Sequence, residues 1–134
     1  MTEFVHPKKK GDSRGRLNVF ERSQEIPFDV KRIYYLFETA PDVSRGFHAH
    51  KSLQQLAICL AGNCEIVMDN GRTREVHTLT PHSGGLLIGD MVWREMHNFS
   101  KDCILLVLAS EEYDEADYIR DYDDFRQELG IGKD

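Results

Sequence analysis

The sequence lacks several features that mark common classes of protein. It has no excess of positive charge, since 17 Lys and Arg residues stand against 23 Asp and Glu and the net charge is −6, which argues against a protein that binds nucleic acid. Its longest apolar run, residues 103–109, is far shorter than the roughly 20 residues of a membrane-spanning helix. Residues 1–11 contain three lysines but no apolar core, so we expect no secretory signal.

Cysteine is also scarce, and no repeat or low-complexity segment divides the chain. The three cysteines, Cys59, Cys64 and Cys103, do not have the spacing of a metal site, and we expect buried thiols in a reducing cytoplasm. The length of 134 residues predicts a single domain, 1–134. The acidic excess is concentrated in residues 111–128, which leaves the rest of the chain nearly neutral and free to bind an anion.

The sequence does contain many short segments that are typical of β-strands. Residues 32–37 and 64–69 alternate in the manner of strands, and residues 56–60 form a continuous apolar run. Asp69-Asn70-Gly71 predicts a hairpin, because Asn-Gly tolerates the positive φ angles of a type I′ turn. These features predict an all-β fold of antiparallel strands, arranged as a sandwich or barrel.

Near the C-terminus the apolar period changes to that of a helix. Four side chains recur at helical spacing: Tyr118, Tyr122, Phe125 and Leu129. They predict a short helix over about 114–129, which ends at Gly130.

Residues with the most distinctive chemistry lie in the segment 45–51, Arg-Gly-Phe-His-Ala-His-Lys. In a strand, alternate side chains share a face, so His48 and His50 point the same way while Phe47 and Ala49 point the other way. Two neighbouring imidazoles can bind a metal or share proton transfer, since their reference pKa is about 6.5. The spacing alone does not decide between these two uses.

Two motifs in the chain resemble those of the cupin superfamily. The first comprises Gly46, His48, His50, Gln55 and Gly62, and the second is Trp-Arg-Glu-Met-His-Asn at 93–98. The resemblance implies a cupin-type jelly-roll barrel, in which three His and one Glu commonly bind a metal. In this chain Gln55 stands in place of the Glu and Arg94 in place of the third His.

These two replacements argue against a metal site. An amide is a weaker ligand than a carboxylate, and the guanidinium of Arg94 repels a divalent cation. His97 is offset from Arg94 by an odd number of positions, so in a straight strand it faces the other way. We therefore expect no metal and no other cofactor, and we expect Arg94 to hold an anion or a developing oxyanion.

Four segments, 31–35, 45–51, 93–99 and 108–120, resemble a narrower group, the sugar nucleotide 3,4-ketoisomerases of the WxcM-like family. The resemblance extends over nearly the whole chain. It implies an isomerase that converts dTDP-4-oxo-6-deoxy-D-glucose to the 3-oxo isomer in deoxysugar and polysaccharide biosynthesis. It also implies a metal-free jelly roll, usually a homodimer, with the nucleotide across the barrel mouth.

The resemblance assigns roles to the residues of the site. It makes His50 the base that moves a proton between carbons 3 and 4 through an enediolate, with His48 as its partner, although the sequence alone does not order the two. It places Tyr35 on a neighbouring strand, where the hydroxyl could donate to the sugar oxygen. No redox cofactor is required, because the hydrogen moves within the substrate.

Further residues are candidates for substrate binding. Arg45 and Lys51 flank the histidine strand and suit the diphosphate, and Arg14 is a third candidate. Trp93 is a candidate for stacking on the nucleotide base. The remaining candidates, near the sugar, are Gln55, Arg94 and His97.

Three other functions are compatible with the sequence. They are a sugar nucleotide 3,5-epimerase, a metal-dependent cupin oxygenase, and a non-catalytic sugar-binding cupin module that regulates a partner. The sequence also leaves open whether the product has gluco or galacto stereochemistry at carbon 4, and whether an N-terminal arm is exchanged between subunits.

Overall fold

The chain folds into two five-stranded sheets that pack face to face and a separate two-stranded hairpin. The computed structural model describes residues 3–131. The strands in chain order are β1 (Phe4–Val5), β2 (Lys8–Asp12), β3 (Gly15–Val19), β4 (Arg32–Leu36), β5 (Arg45–His50), β6 (Gln55–Ala61), β7 (Cys64–Asp69), β8 (Arg74–Leu79), β9 (Gly85–Ile88), β10 (Trp93–His97), β11 (Ile104–Ala109) and β12 (Tyr118–Ile119). The spatial orders are β1-β9-β6-β11-β4 and β12-β5-β10-β7-β8, and β2 pairs with β3.

Adjacent strands in both sheets pair antiparallel, so the predicted all-β, cupin-type jelly roll is confirmed. Apolar side chains from both sheets alternate inward and form the main core, with Ile66 and Met68 from one sheet and Leu105 and Val107 from the other. Burial of a side chain of this size contributes about 1.5–3 kcal/mol. The predicted single domain, 1–134, includes residues 1–2 and 132–134, which lie outside the described residues.

The hairpin predicted at Asp69-Asn70-Gly71 joins β7 and β8, but its loop is longer than a type I′ turn. Asp69 and Arg74 are the last paired residues, and Gly71 has a φ of +91°. The side chain of Asn70 accepts hydrogen bonds from the backbone N–H groups of Arg72 and Thr73. The loop therefore uses its asparagine as a side-chain acceptor.

The predicted C-terminal helix over about 114–129 is wrong at its N-terminal end. Residues Glu115–Asp117 form a 3₁₀ turn, β12 follows, and the α-helix α1 extends only over Tyr122–Glu128. Asp121 caps α1 by accepting from the N–H of Asp124. Tyr118 instead pairs with His50 of β5. Its position four residues before Tyr122 fits a helix, but the tertiary pairing of β12 with β5 overrides this local preference.

Helix α1 covers the outer face of the sheet that contains β5 and β10. Phe125, fully buried, packs with Ala49, Trp93 and Ile119. The three cysteines are buried free thiols. Within residues 3–131, no helix is long and apolar enough to cross a membrane.

Candidate active site

Two histidines of β5 point into the barrel between the two sheets. The ring centroids of His48 and His50 are 4.9 Å apart and the rings are nearly perpendicular. His50 is 1% exposed. Ala49, between them, is buried against the outer cluster below α1. Strand alternation thus separates the imidazoles from the hydrophobic contacts that hold their strand in place.

A β-bulge next to the histidines brings β5 close to β10. Gly46 has a φ of +91°, and the strand register shifts between Arg94 and Glu95. A Cβ atom on Gly46 would lie 3.1 Å from the carbonyl oxygen of Arg94. Glycine at this position therefore permits both the left-handed backbone and the close approach. His48 lies directly opposite Arg94 as a result.

The imidazole of His50 is held by a carboxylate that lies 67 residues later in the chain. Nδ1 of His50 is 3.1 Å from Oδ2 of Asp117. The same carboxylate accepts from the backbone N–H groups of Ser52 at 2.8 Å and Leu53 at 3.3 Å. The other ring nitrogen, Nε2, is buried and has no hydrogen-bond partner among the described residues.

A buried guanidinium and an amide connect the barrel interior to a phenol. Arg94 is 0% exposed, and its Nη1 donates to Oε1 of Gln55 over 2.6 Å. Nε2 of Gln55 then donates to the hydroxyl oxygen of Tyr34 over 3.0 Å. Because the phenol oxygen accepts this bond, the O–H of Tyr34 remains available as a donor.

A second tyrosine, Tyr118, packs against both imidazoles with its ring tilted by 60° from that of His50 and by 45° from that of His48. The ring centroid of Tyr118 is 4.3 Å from that of His50 and 5.0 Å from that of His48. The guanidinium of Arg120 lies 4.2 Å from the Tyr118 centroid, and it is fixed by two bonds of 2.8 Å to Glu115. Tyr118, Arg120 and Lys51 border a cavity of about 470 Å³.

Removal from water controls the protonation of this site. Burial, reinforced by the Arg94 charge, lowers the pKa of His50 to about 2 and that of His48 to about 4. Burial also lowers the pKa of Arg94 to about 10, which leaves it charged at neutral pH. The site therefore combines two neutral imidazoles with a permanent cation, and the imidazole pKa values lie well below the near-neutral range expected from the sequence.

The residues at the cupin metal position do not fit a divalent cation. His48 and His50 are two possible ligands, but the nearby Gln55 offers a single amide oxygen that already accepts from Arg94. The fully buried guanidinium of Arg94 would repel the ion. Over residues 3–131, no group of three His, Cys, Asp or Glu side chains could hold a metal ion.

Tyr35 is not placed to act as the predicted donor. The side chains of β4 alternate, and Tyr35 is 60% exposed on the outer face while Tyr34 is partly buried and packs toward the core. Residues 32–37 carry large apolar or aromatic side chains in both phases of the strand, so the sequence pattern does not distinguish the two tyrosines. The inward phenol, Tyr34, is the one that reaches Gln55.

Two further candidates on β10, Trp93 and His97, lie on the outer face of their sheet. Trp93 is buried below α1 and its Nε1 donates to Glu95, so the structure does not bring it to the histidines for stacking on a base. His97 bonds to Glu95 at 2.9 Å and to Ser44 at 2.7 Å. His97 lies three residues after Arg94, and this odd spacing predicts that the two side chains are on opposite faces, as they are. On the outer face His97 is separated from the sugar, which it was expected to bind.

The predicted diphosphate ligands are not gathered at one place. Arg45 and Lys51 lie at the two ends of β5, and only Lys51 borders the cavity next to Tyr118. Arg14 lies at the tip of the β2–β3 hairpin, where its guanidinium forms an ion pair of 2.6 Å with Asp12.

Three residues of the site, Tyr34, Asp117 and Tyr118, were missed at the sequence level. Asp117 and Tyr118 were assigned to a helix, whereas Tyr118 belongs to a strand and Asp117 to the turn before it. Asp117 and Tyr118 do lie in the segment 108–120, which carries part of the resemblance to the 3,4-ketoisomerases, and this is the sequence signal that marks them.

Comparison with known proteins gives a consistent result. A family model described as FdtA: WxcM-like, C-terminal matches residues 1–130. The TDP-4-oxo-6-deoxy-alpha-D-glucose-3,4-oxoisomerase of Aneurinibacillus thermoaerophilus is 50% identical over 93% of this chain and 90% of its own length.

Solved structures give the same match. A 3,4-ketoisomerase from Helicobacter canadensis superposes with a TM-score of 0.92 at 47% identity, over 96% of this chain and 97% of that one. A second structure is a mutant of the 3,4-ketoisomerase QdtA from Thermoanaerobacterium thermosaccharolyticum in complex with TDP-4-keto-6-deoxyglucose. It superposes with a TM-score of 0.90 at 43% identity, over 95% of this chain and 92% of that one.

Proposed function

The chain belongs to the FdtA family, described as WxcM-like, C-terminal, and on this premise we propose that it is a sugar nucleotide 3,4-ketoisomerase. Its proposed reaction converts dTDP-4-oxo-6-deoxy-D-glucose to the 3-oxo isomer. The observation that carries this proposal is the buried, unpartnered Nε2 of His50 within residues 3–131, which faces the interior of a barrel that offers both a cation and a phenol.

Moving the ketone requires a base, because the proton on carbon 3 must leave before one is added at carbon 4. Nε2 of His50 is the proposed base. The neutral state of this imidazole, which follows from its lowered pKa, means that its lone pair is available without prior deprotonation. His50 carries the proton between carbons 3 and 4, and His48, 4.9 Å away between ring centroids, is its proposed partner.

The enediolate between the two carbonyl forms carries negative charge on oxygen and needs donors. Arg94 supplies a fixed positive charge at the base of the pocket. It donates to Gln55, which donates to the hydroxyl oxygen of Tyr34, and this chain of hydrogen bonds polarises the O–H of Tyr34. Tyr34 therefore takes the donor role that the sequence assigned to Tyr35. Its O–H would stabilise the developing oxyanion.

The diphosphate requires cations at the mouth of the pocket. Lys51 and Arg120 border the cavity next to Tyr118, which Asp124 and Glu128 of α1 also line. These two cations are the proposed ligands, and Arg120 would exchange its bonds to Glu115 for bonds to the diphosphate. Arg45 is exposed at the far end of β5 and Arg14 is bound to Asp12. A contribution from either requires a change of position or a second subunit.

A homodimer is the proposed assembly, with the β2–β3 hairpin exchanged between subunits. The hairpin is exposed along nearly its whole length, and isolated two-stranded hairpins are marginally stable. Strand β4 lies at the edge of its sheet and exposes Ile33 and Tyr35, so it offers an apolar surface to a partner. Sedimentation should give twice the chain mass of 15.5 kDa, and a single-chain mass would contradict the dimer.

The proposed cellular context follows from the product and the thiols. A 3-oxo sugar nucleotide is a suitable substrate for an aminotransferase, which would place the reaction in the synthesis of 3-amino deoxysugars for polysaccharides. The three free buried cysteines suit the reducing cytoplasm.

The test is incubation of the purified protein with dTDP-4-oxo-6-deoxyglucose in heavy water, followed by NMR of carbons 3 and 4. A 3-oxo product supports the isomerase. A product that keeps the ketone at carbon 4 and exchanges protons at carbons 3 and 5 would show a 3,5-epimerase instead. Tight nucleotide binding without any turnover would contradict both and indicate a binding module.

A further inference from the structure

We propose that Asp117 is a positioning residue that fixes the tautomer of His50, so that Nε2 and not Nδ1 accepts the substrate proton. This inference rests on the proposed function and deepens it. It assigns the hydrogen to Nδ1 and the role of acceptor to Nε2. It also selects His50 over His48 as the base, a choice that the sequence leaves open.

The geometry defines the direction of the bond between the two side chains. An ionised carboxylate has no proton to donate, so the 3.1 Å contact between Nδ1 of His50 and Oδ2 of Asp117 requires the hydrogen on Nδ1. In a neutral imidazole the other nitrogen, Nε2, is then the acceptor. Nε2 is also the nitrogen that has no partner within the described part of the chain.

Asp117 is itself held in place from two sides. Its carboxylate accepts from the backbone N–H groups of Ser52 and Leu53, which lie two and three residues after the end of β5. Its backbone N–H donates to the carbonyl oxygen of Asp114, and its carbonyl oxygen accepts from the N–H of Lys51. The carboxylate therefore cannot rotate away from His50 without breaking bonds to the loop that follows the same strand.

The proposed proton transfer balances within this pair and the substrate. The proton of carbon 3 moves to Nε2 of His50, and its bonding electrons pass into the enediolate. Within the enediolate the hydroxyl proton of the carbon 3 oxygen passes to the adjacent carbon 4 oxygen, which leaves the carbonyl group at carbon 3. The resulting imidazolium keeps its first proton on Nδ1, bound to the Asp117 carboxylate. Nε2 then returns its proton to carbon 4, and the imidazole returns to the starting tautomer. His48 has no carboxylate in ion-pair contact over residues 3–131, so it lacks this stabilisation.

Substitution of Asp117 by asparagine tests the proposal sharply because the side chains have the same shape. In Asp117→Asn the amide oxygen is expected to keep the shorter bond, 2.8 Å from the N–H of Ser52, in preference to the longer one, 3.3 Å from the N–H of Leu53. The NH₂ group then faces His50. Nδ1 would then have to accept a hydrogen bond, which places the ring proton on Nε2 and removes the base.

The experiment measures the His50 tautomer by NMR of histidine labelled with ¹⁵N, together with steady-state kinetics. We expect the proton on Nδ1 in the unmodified protein and on Nε2 in Asp117→Asn. We also expect kcat to fall by about 10²- to 10⁴-fold with little change in KM, as for a serine protease whose triad aspartate is replaced by asparagine.

Asp114→Asn is the matched control. It removes the same charge three residues earlier. Within residues 3–131 the Asp114 side chain accepts only from the N–H of Ala116, so Asp114→Asn should keep both the tautomer and kcat.

The tautomer of the unmodified protein decides the proposal even if Asp117→Asn fails to fold. A proton on Nε2 in the unmodified protein overturns the inference, and so does an Asp117→Asn protein with full kcat. Absence of any 3-oxo product from the unmodified protein would overturn the proposed function alone, because the tautomer measurement does not depend on turnover.

Discussion

The two faces of the sheet that contains β5 and β10 differ in how completely their polar atoms are satisfied. On the outer face, Trp93 and Ala49 pack below Phe125, and the indole N–H donates to Glu95. On the inner face, one residue further along each strand, His50 and Arg94 each retain a buried nitrogen with no partner among the described residues. Unsatisfied buried groups cost free energy. The outer face therefore stabilises the fold, while the inner face keeps its donors and acceptors for a ligand.

The largest expected effect tests the outer face. Phe125→Ala removes a fully buried ring and should lower the free energy of unfolding by about 3–5 kcal/mol. Urea denaturation followed by circular dichroism measures it. The folded fraction should keep its kcat, because Phe125 does not touch the imidazoles. A large loss of kcat in the folded variant would show that the two faces are coupled.

The second prediction tests the inner face. His50→Asn and His48→Asn should each lower kcat by about 10²-fold or more, the usual contribution of a general base or acid. Urea denaturation should show a smaller loss of stability than for Phe125→Ala, since both imidazoles leave ring nitrogens unpaired within residues 3–131. Unchanged kcat in both variants would exclude the histidines as the proton carriers.

The third prediction applies the same comparison to one strand, β4. Tyr34→Phe should lower kcat by about 10²-fold, because it removes one donor to a developing oxyanion. Tyr35→Phe is the matched control, since this exposed phenol lies on the other face and should leave kcat unchanged in the same assay. The reverse result would restore the role that the sequence assigned to Tyr35.

The smallest expected effect is in the pH profile. Values of kcat/KM report the pKa of the essential base in the free enzyme, and the base is active when neutral. Because burial lowers the pKa values of His50 and His48 to about 2 and about 4, kcat/KM should stay nearly constant from neutral pH down to about pH 5. A decline in kcat/KM centred on about pH 6.5, the ordinary histidine pKa, would contradict the conclusion that burial lowers the pKa of the base.

Local period was sufficient to predict antiparallel strands in a sandwich or barrel and part of the site, while the jelly roll was implied by the resemblance to cupins. Alternation placed His48 and His50 on one face, and the odd offset put His97 on the opposite side from Arg94. Tyr34 and Tyr35 could not be separated, since both phases of β4 are apolar or aromatic. Asp117 reaches His50 only through the pairing of β12 with β5, a long-range contact that no local pattern encodes.

The isolation of Arg94 has a consequence for inhibitor design. Its nearest acceptors are the neutral oxygens of Gln55, Val92 and Gly89, so over residues 3–131 no carboxylate forms an ion pair with it. Arg94 thus carries a buried positive charge with no carboxylate of residues 3–131 paired to it, and under the proposed chemistry the opposite charge forms only while the sugar is enolised. A flat, stable oxyanion attached to the nucleotide should therefore bind more tightly than its neutral analogue.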